Sequence, residues 1–126
     1  MTEIKHYIQQ FVALLPVGTS VSYTEAERRA SEFLVASATL VDWKHVLSGE
    51  KIKLLSVQTV VYAEQMGKGT AKTVTENKLT AEASPEYTKA REELEGIDND
   101  ISYLKAYLEL FSNAHIFYRA LSKESR

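Results

Sequence analysis

The sequence predicts an all-α protein: a long helical hairpin of coiled-coil-like helices with a short N-terminal helix, built to oligomerise. Three observations lead there. Ala26, Phe33, Leu40, Leu47, Leu54 and Val61 recur every seven residues without a slip, as in a helix wound against another helix. Tyr87, Ala90, Leu94, Ile97, Ile101, Leu104, Leu108, Phe111, His115 and Tyr118 are spaced alternately three and four apart, an unbroken heptad seam. Helix-start and helix-stop residues stand at the ends of both patterns.

The 126 residues fit one domain, 1–126, and contain no cysteine, so neither a disulfide framework nor a thiolate metal site is available. That agrees with a reducing, cytoplasmic setting. No apolar run approaches the roughly 20 residues of a membrane span, and Phe11–Leu15 is too short for a signal-peptide core.

The elements follow in order. Ile4, Ile8, Phe11, Val12 and Leu15 have helical spacing and predict a first helix over 2–15, stopped by Pro16-Val-Gly18. Ser22 or Thr24 then offers an N-cap, each with a glutamate three residues on (Glu25, Glu27). The second helix is expected over 23–66. Its repeat keeps phase across Gly49, so it is read as one helix, ended by Gly67 and Gly69. Thr70 is a candidate cap for a short third helix over 71–83, where Thr73, Val74 and Thr75 are poor helix formers. Ser84-Pro85 restarts the chain, with serine at the cap and proline at the first helical position. The last helix is expected over 85–123. From Tyr103 a second row joins its seam: Tyr107, Leu110, Ala114, Phe117 and Leu121. The apolar arc then spans about half the circumference, more than one antiparallel neighbour covers. Either the first helix folds over it or other subunits do. The residues expected in contacts between copies are Ile101, Leu104, Tyr107, Leu108, Phe111, Phe117 and Tyr118.

Net charge is −2, but charge is unevenly placed. Residues 44–78 are rich in lysine and residues 82–109 in carboxylates. Two solvated faces of opposite sign, or two segments packed on one another, explain that pattern. Trp43, Lys44, Lys51, Lys53, Tyr62, Lys68 and Lys72 could also line a track for single-stranded nucleic acid, with cations for phosphates and flat rings for bases. Trp43 serves equally as a core residue.

Catalytic signals are weak. His6, His45 and His115 form no helical metal pair. His115, inside the seam, suits register or a core hydrogen bond. Met66–Thr70 fails as a phosphate loop: Tyr62 stands where the first glycine belongs, Gly69 replaces the Ser/Thr, and a helix precedes it. A glycine turn before a helix can still offer N–H groups to an anion, with Lys68 and Lys72 flanking it. Asp98-Asn-Asp100 lacks the glycine and final glutamate of a calcium loop. No enzymatic activity and no cofactor are expected.

From about Tyr23 to Leu121 the arrangement resembles the UvsY-type recombination mediators of tailed phages. The features are a short leading helix, a long helix opening at Tyr23-Thr-Glu-Ala, and Tyr62 followed by Gly67-Lys-Gly69. A short polar helix and the aromatic-rich closing helix (Tyr103-Leu-Lys-Ala-Tyr-Leu-Glu-Leu-Phe, then Ala114-His-Ile-Phe-Tyr) complete it. Where the mediators carry Lys-Ala-Arg-Leu before the tyrosine, this chain has Val57-Gln-Thr-Val-Val61, without a cation. The resemblance implies a homo-oligomer that binds single-stranded DNA and helps load a recombinase in place of a single-strand-binding protein. The other function class open to the sequence is a helical protein-binding adaptor or inhibitor of phage origin, with the acidic helix as its face.

Overall fold

The computed structural model describes residues 1–17, 20–69 and 73–124, with the Glu124 side chain left aside. Its elements are α1 (Thr2–Val12), α2 (Tyr23–Gly67), α3 (Val74–Glu82) and α4 (Pro85–Glu124). The described residues contain no strand, so the fold is all-α.

Besides one-residue differences at the ends of α2, α3 and α4, two boundaries move by three residues and one cap is resolved between its two candidates. α1 ends at Val12 rather than at residue 15. Leu15 precedes Pro16, which disfavours helical backbone there. The chain leaves the helix through tight turns, with the Leu14 N–H donating to the Phe11 carbonyl (3.0 Å) and the Leu15 N–H to Val12 (3.2 Å). At α2, Ser22 is the cap: its hydroxyl accepts from the Glu25 N–H at 3.2 Å. α3 begins at Val74, and its cap is Thr73, not Thr70, which lies outside the described residues. Thr73 is extended (φ −115°, ψ 150°) and accepts from the Glu76 N–H. A β-branched residue that weakens a helix interior suits this position, because its hydroxyl satisfies an otherwise orphan N–H. Ser84 caps α4 as expected, accepting from the Tyr87 N–H at 3.2 Å.

Packing divides the chain into two compact units, Met1–His45 with Ser102–Arg126, and Val46–Ile101. In the first, α2 and α4 run antiparallel: Phe33 meets Phe111 (ring centroids 5.3 Å), while the earlier Ala30 meets the later His115. Ile8, Ala26, Phe33, Ala36, Leu40, Leu104, Phe111, Ala114 and Tyr118 form its fully buried core. α1 lies over part of the wide arc of α4. Phe11 touches both Phe33 (5.9 Å) and Phe111 (5.8 Å), and Lys5 sits over the Tyr103 ring at 5.2 Å. The first helix thus does part of the covering for which other subunits were the alternative.

In the second unit α2 and α4 are again antiparallel. Lys51 pairs with Asp98 at 2.7 Å, and further along α2 Tyr62 packs on the earlier Tyr87 at 5.7 Å. Its buried apolar residues are Ala81, Ala90 and Ile97, a thinner core than the aromatic cluster of the first unit. The heptad seam of α4 is buried or half-buried at every position from Tyr87 to Tyr118.

Candidate nucleic-acid interface

The residues expected to line a nucleic-acid track are distributed between both units. In the first unit, Trp43 and Lys44 are half-buried. The Trp43 and Tyr7 rings meet at right angles, with centroids 5.1 Å apart and planes at 89°. The Tyr7 hydroxyl in turn donates to Thr39 Oγ1 at 3.4 Å. Trp43 therefore anchors α1 on α2, the core role weighed against stacking.

In the second unit, Lys51 is held by Asp98, each about half-exposed. This is a direct contact between the basic and acidic segments, and it occupies one expected phosphate ligand. The Tyr62 ring leans on Tyr87 at 59°, so each expected stacking ring already has an aromatic neighbour within the chain and is half-buried. Lys53 and Lys68 are exposed. Lys68 sits in the turn that closes α2, where its N–H donates to the Glu64 carbonyl and the Gly69 N–H to that of Met66. A Cβ at position 69 would run into the Asn77 side-chain amide, so glycine lets the turn approach α3 closely. Lys72 lies outside the described residues.

The residues assigned to contacts between copies also separate. Leu104, Phe111 and Tyr118 are at most 1% exposed within the single chain. They are core residues here, because α1 and α2 already cover them. Ile101, Tyr107 and Leu108 are half-buried. Phe117 and Leu110 remain about half-exposed, and Ile116 is more exposed still.

Sequence reasoning missed a polar network in the first unit. Glu25 accepts from Arg28 (2.6 Å) and from Arg29 Nε (2.9 Å). These hydrogen bonds hold its carboxyl down at about 2. Arg29 Nη1 donates to the Tyr118 hydroxyl at 3.1 Å, and that hydroxyl donates to the Leu14 carbonyl at 2.5 Å. The Tyr118 contact, then Glu25, raises the Arg29 guanidinium above its ordinary value. The spacing Glu25–Arg28–Arg29 was visible as helix pairs, but the tie to Tyr118 was not. His115 donates Nδ1–H to the Ala30 carbonyl at 2.7 Å, the core hydrogen bond considered for it. Burial, and then the neighbouring Tyr107, push the Tyr103 hydroxyl up.

Also missed were exposed apolar residues of α2: Leu34, Val35 and Val41 in the first unit, and Val46, Ile52, Leu55, Val57 and Val60 in the second. A signal existed. In the second unit, Leu54 to Ala63 contains no charged residue and is mostly apolar, more apolar surface than a single neighbouring helix covers. An open apolar groove of about 420 Å³ lies in the first unit, lined by Phe11, Ser31, Glu32 and Val35. Among the described residues no group of three or more His, Asp or Glu side chains could hold a metal ion. No helix there is long and apolar enough to cross a membrane. No family model matches the chain, and no curated protein or solved structure shows significant similarity to it.

Proposed function

We propose that this protein is a non-enzymatic, self-associating accessory of phage DNA recombination. It binds single-stranded DNA and helps load a recombinase where a single-strand-binding protein would otherwise sit. The observation that carries the reading is the exposed Lys68 on the Gly67–Gly69 turn, at the end of a helix that leaves Val57 and Val60 exposed two to three turns earlier. A cation on a tight turn offers a phosphate contact, and an uncovered helix face offers a contact between copies. Lys68 and Lys72 are the first phosphate ligands. Lys51 is discounted because Asp98 holds it. Repetition of such a weak site around an oligomer raises affinity through effective concentration.

The test is a titration of labelled oligo-deoxythymidylate followed by fluorescence anisotropy at several salt concentrations. Affinity should fall steeply with salt as counterions are released. Replacing Lys68 and Lys72 together by Ala should flatten the slope by roughly 0.7 for every phosphate that an engaged subunit then leaves unneutralised. Absence of binding at physiological salt would refute the DNA reading.

A second reading, a protein-binding helical adaptor of phage origin, is favoured by one specific set of contacts. Both expected base-stacking rings, Trp43 and Tyr62, are engaged inside the chain, whereas the groove beside Phe11 and Val35 stands open. It predicts no DNA binding at physiological salt, and a protein partner that no longer binds when exposed Glu92, Glu93 and Glu95 are neutralised.

A further inference from the structure

Within the second unit, α2 is apolar on more sides than the unit itself covers. Leu54, Gln58 and Val61 are half-buried on the side that includes Lys51, which faces α4. Val57 and Val60 lie on another side, 49% and 55% exposed. They belong to a stripe. Val46, Glu50, Lys53, Val57, Val60 and Glu64 are spaced alternately four and three apart, and all are exposed. That spacing places the six on one face of the helix, apolar at its centre (Val57, Val60) and charged on either flank, beside a first seam that is already occupied. An open groove of about 270 Å³, lined by Glu50, Lys53, Leu54 and Val57, runs along it.

We propose that this stripe docks on the same stripe of a second copy, antiparallel, about a two-fold axis passing between Val57 and Val60. The charge order selects both occupant and direction. Lys53 and Glu64 stand equally far from the midpoint, on opposite sides of the two valines. In antiparallel pairing each Val57 meets Val60 of the second copy, and each Lys53 meets Glu64 of the second copy. In parallel pairing lysine would face lysine and glutamate would face glutamate, which repel. A two-fold contact makes every pair twice. Among the described residues neither Lys53 nor Glu64 has an ion pair in its own chain. The groove beside Val57 gives Val60 of the second copy a place to insert. Lys53 therefore serves self-association rather than phosphate binding.

This inference rests on the self-association in the function proposed above, and charge reversal separates the two. Sedimentation equilibrium at micromolar concentration should show wild type as more than one chain. Lys53→Glu alone and Glu64→Lys alone should each weaken association at least about tenfold, since each places like charges opposite one another at two points. Both side chains are exposed, so helical circular dichroism and melting should stay those of the wild-type monomer. Mixing the two single variants should restore association, because every facing pair is again opposite in sign. The double variant Lys53→Glu/Glu64→Lys should associate as wild type does. A wild-type protein that stays monomeric overturns both the inference and the self-association it rests on. An oligomer indifferent to both single reversals, or one that mixing does not restore, overturns this interface alone.

Discussion

Tyr118→Phe removes one oxygen atom from the first unit and leaves the ring. The ring is 1% exposed and stacks on Phe33 with centroids 6.0 Å apart and planes 12° from parallel. The apolar packing is retained, so the variant isolates the hydroxyl. That hydroxyl accepts from the Arg29 guanidinium and donates to the Leu14 carbonyl. A hydrogen bond to a charged group contributes about 1.5–3 kcal/mol, and a neutral one about 0.5–1.5 kcal/mol. Arg29 keeps Glu25 in the variant, and Leu14 is only half-buried, so water can replace part of what the hydroxyl supplied. We expect a net cost of about 2 kcal/mol, a large share of the roughly 5–15 kcal/mol by which domains are stable. Urea unfolding followed by circular dichroism measures it by linear extrapolation. The mechanism is checked by repeating the change in an Arg29→Met background. There it should cost at least about 0.5 kcal/mol less, because the two residues share one network. Amides at the end of α1 should exchange faster, since Leu14 is tied to α4 through this oxygen. A cost below about 0.5 kcal/mol, or unchanged amide exchange at the end of α1, would refute the claim that this hydroxyl fastens the α1 end, and strict additivity with Arg29→Met would refute its coupling to Arg29.

Two further predictions use the same unit. Phe111→Asp or Leu104→Asp should prevent folding, because an unpaired carboxylate at a fully buried site costs several kcal/mol. Wild-type melting in either variant would show the seam to be misphased. Glu25 has a folded pKa near 2, below its ordinary 4.5, so its contribution is complete above about pH 4.5 and fades as pH falls towards 2. Glu25→Gln should flatten the acid limb of the stability profile in that window, less so at high salt because the Arg28 partner is exposed. An unchanged acid limb at low salt would count against the pairing with Arg28 and Arg29.

Helix positions and their inward faces were legible in the sequence alone. Seven-residue spacing survives any tertiary arrangement, since it follows from helix pitch, and the α4 seam from Tyr87 to Tyr118 is covered throughout. Caps were legible where side-chain chemistry is local, as at Ser22 and Ser84. At Thr73 propensity conceals the cap, because a threonine that weakens a helix interior also has the hydroxyl that caps a helix start. Which element covers a given face could not be read from periodicity. A heptad records that Leu104, Phe111 and Tyr118 need cover, and the partner's identity is a long-range property; the structure assigns that cover to α1 and α2 of the same chain. The fate of each exposed-looking charge or ring was equally non-local. Lys51 is tied to a residue far along the chain, Asp98, and Trp43 and Tyr62 are occupied by Tyr7 and Tyr87. Composition could mark those side chains as suited to DNA, but whether a lysine or a ring stays available depends on what folding brings beside it.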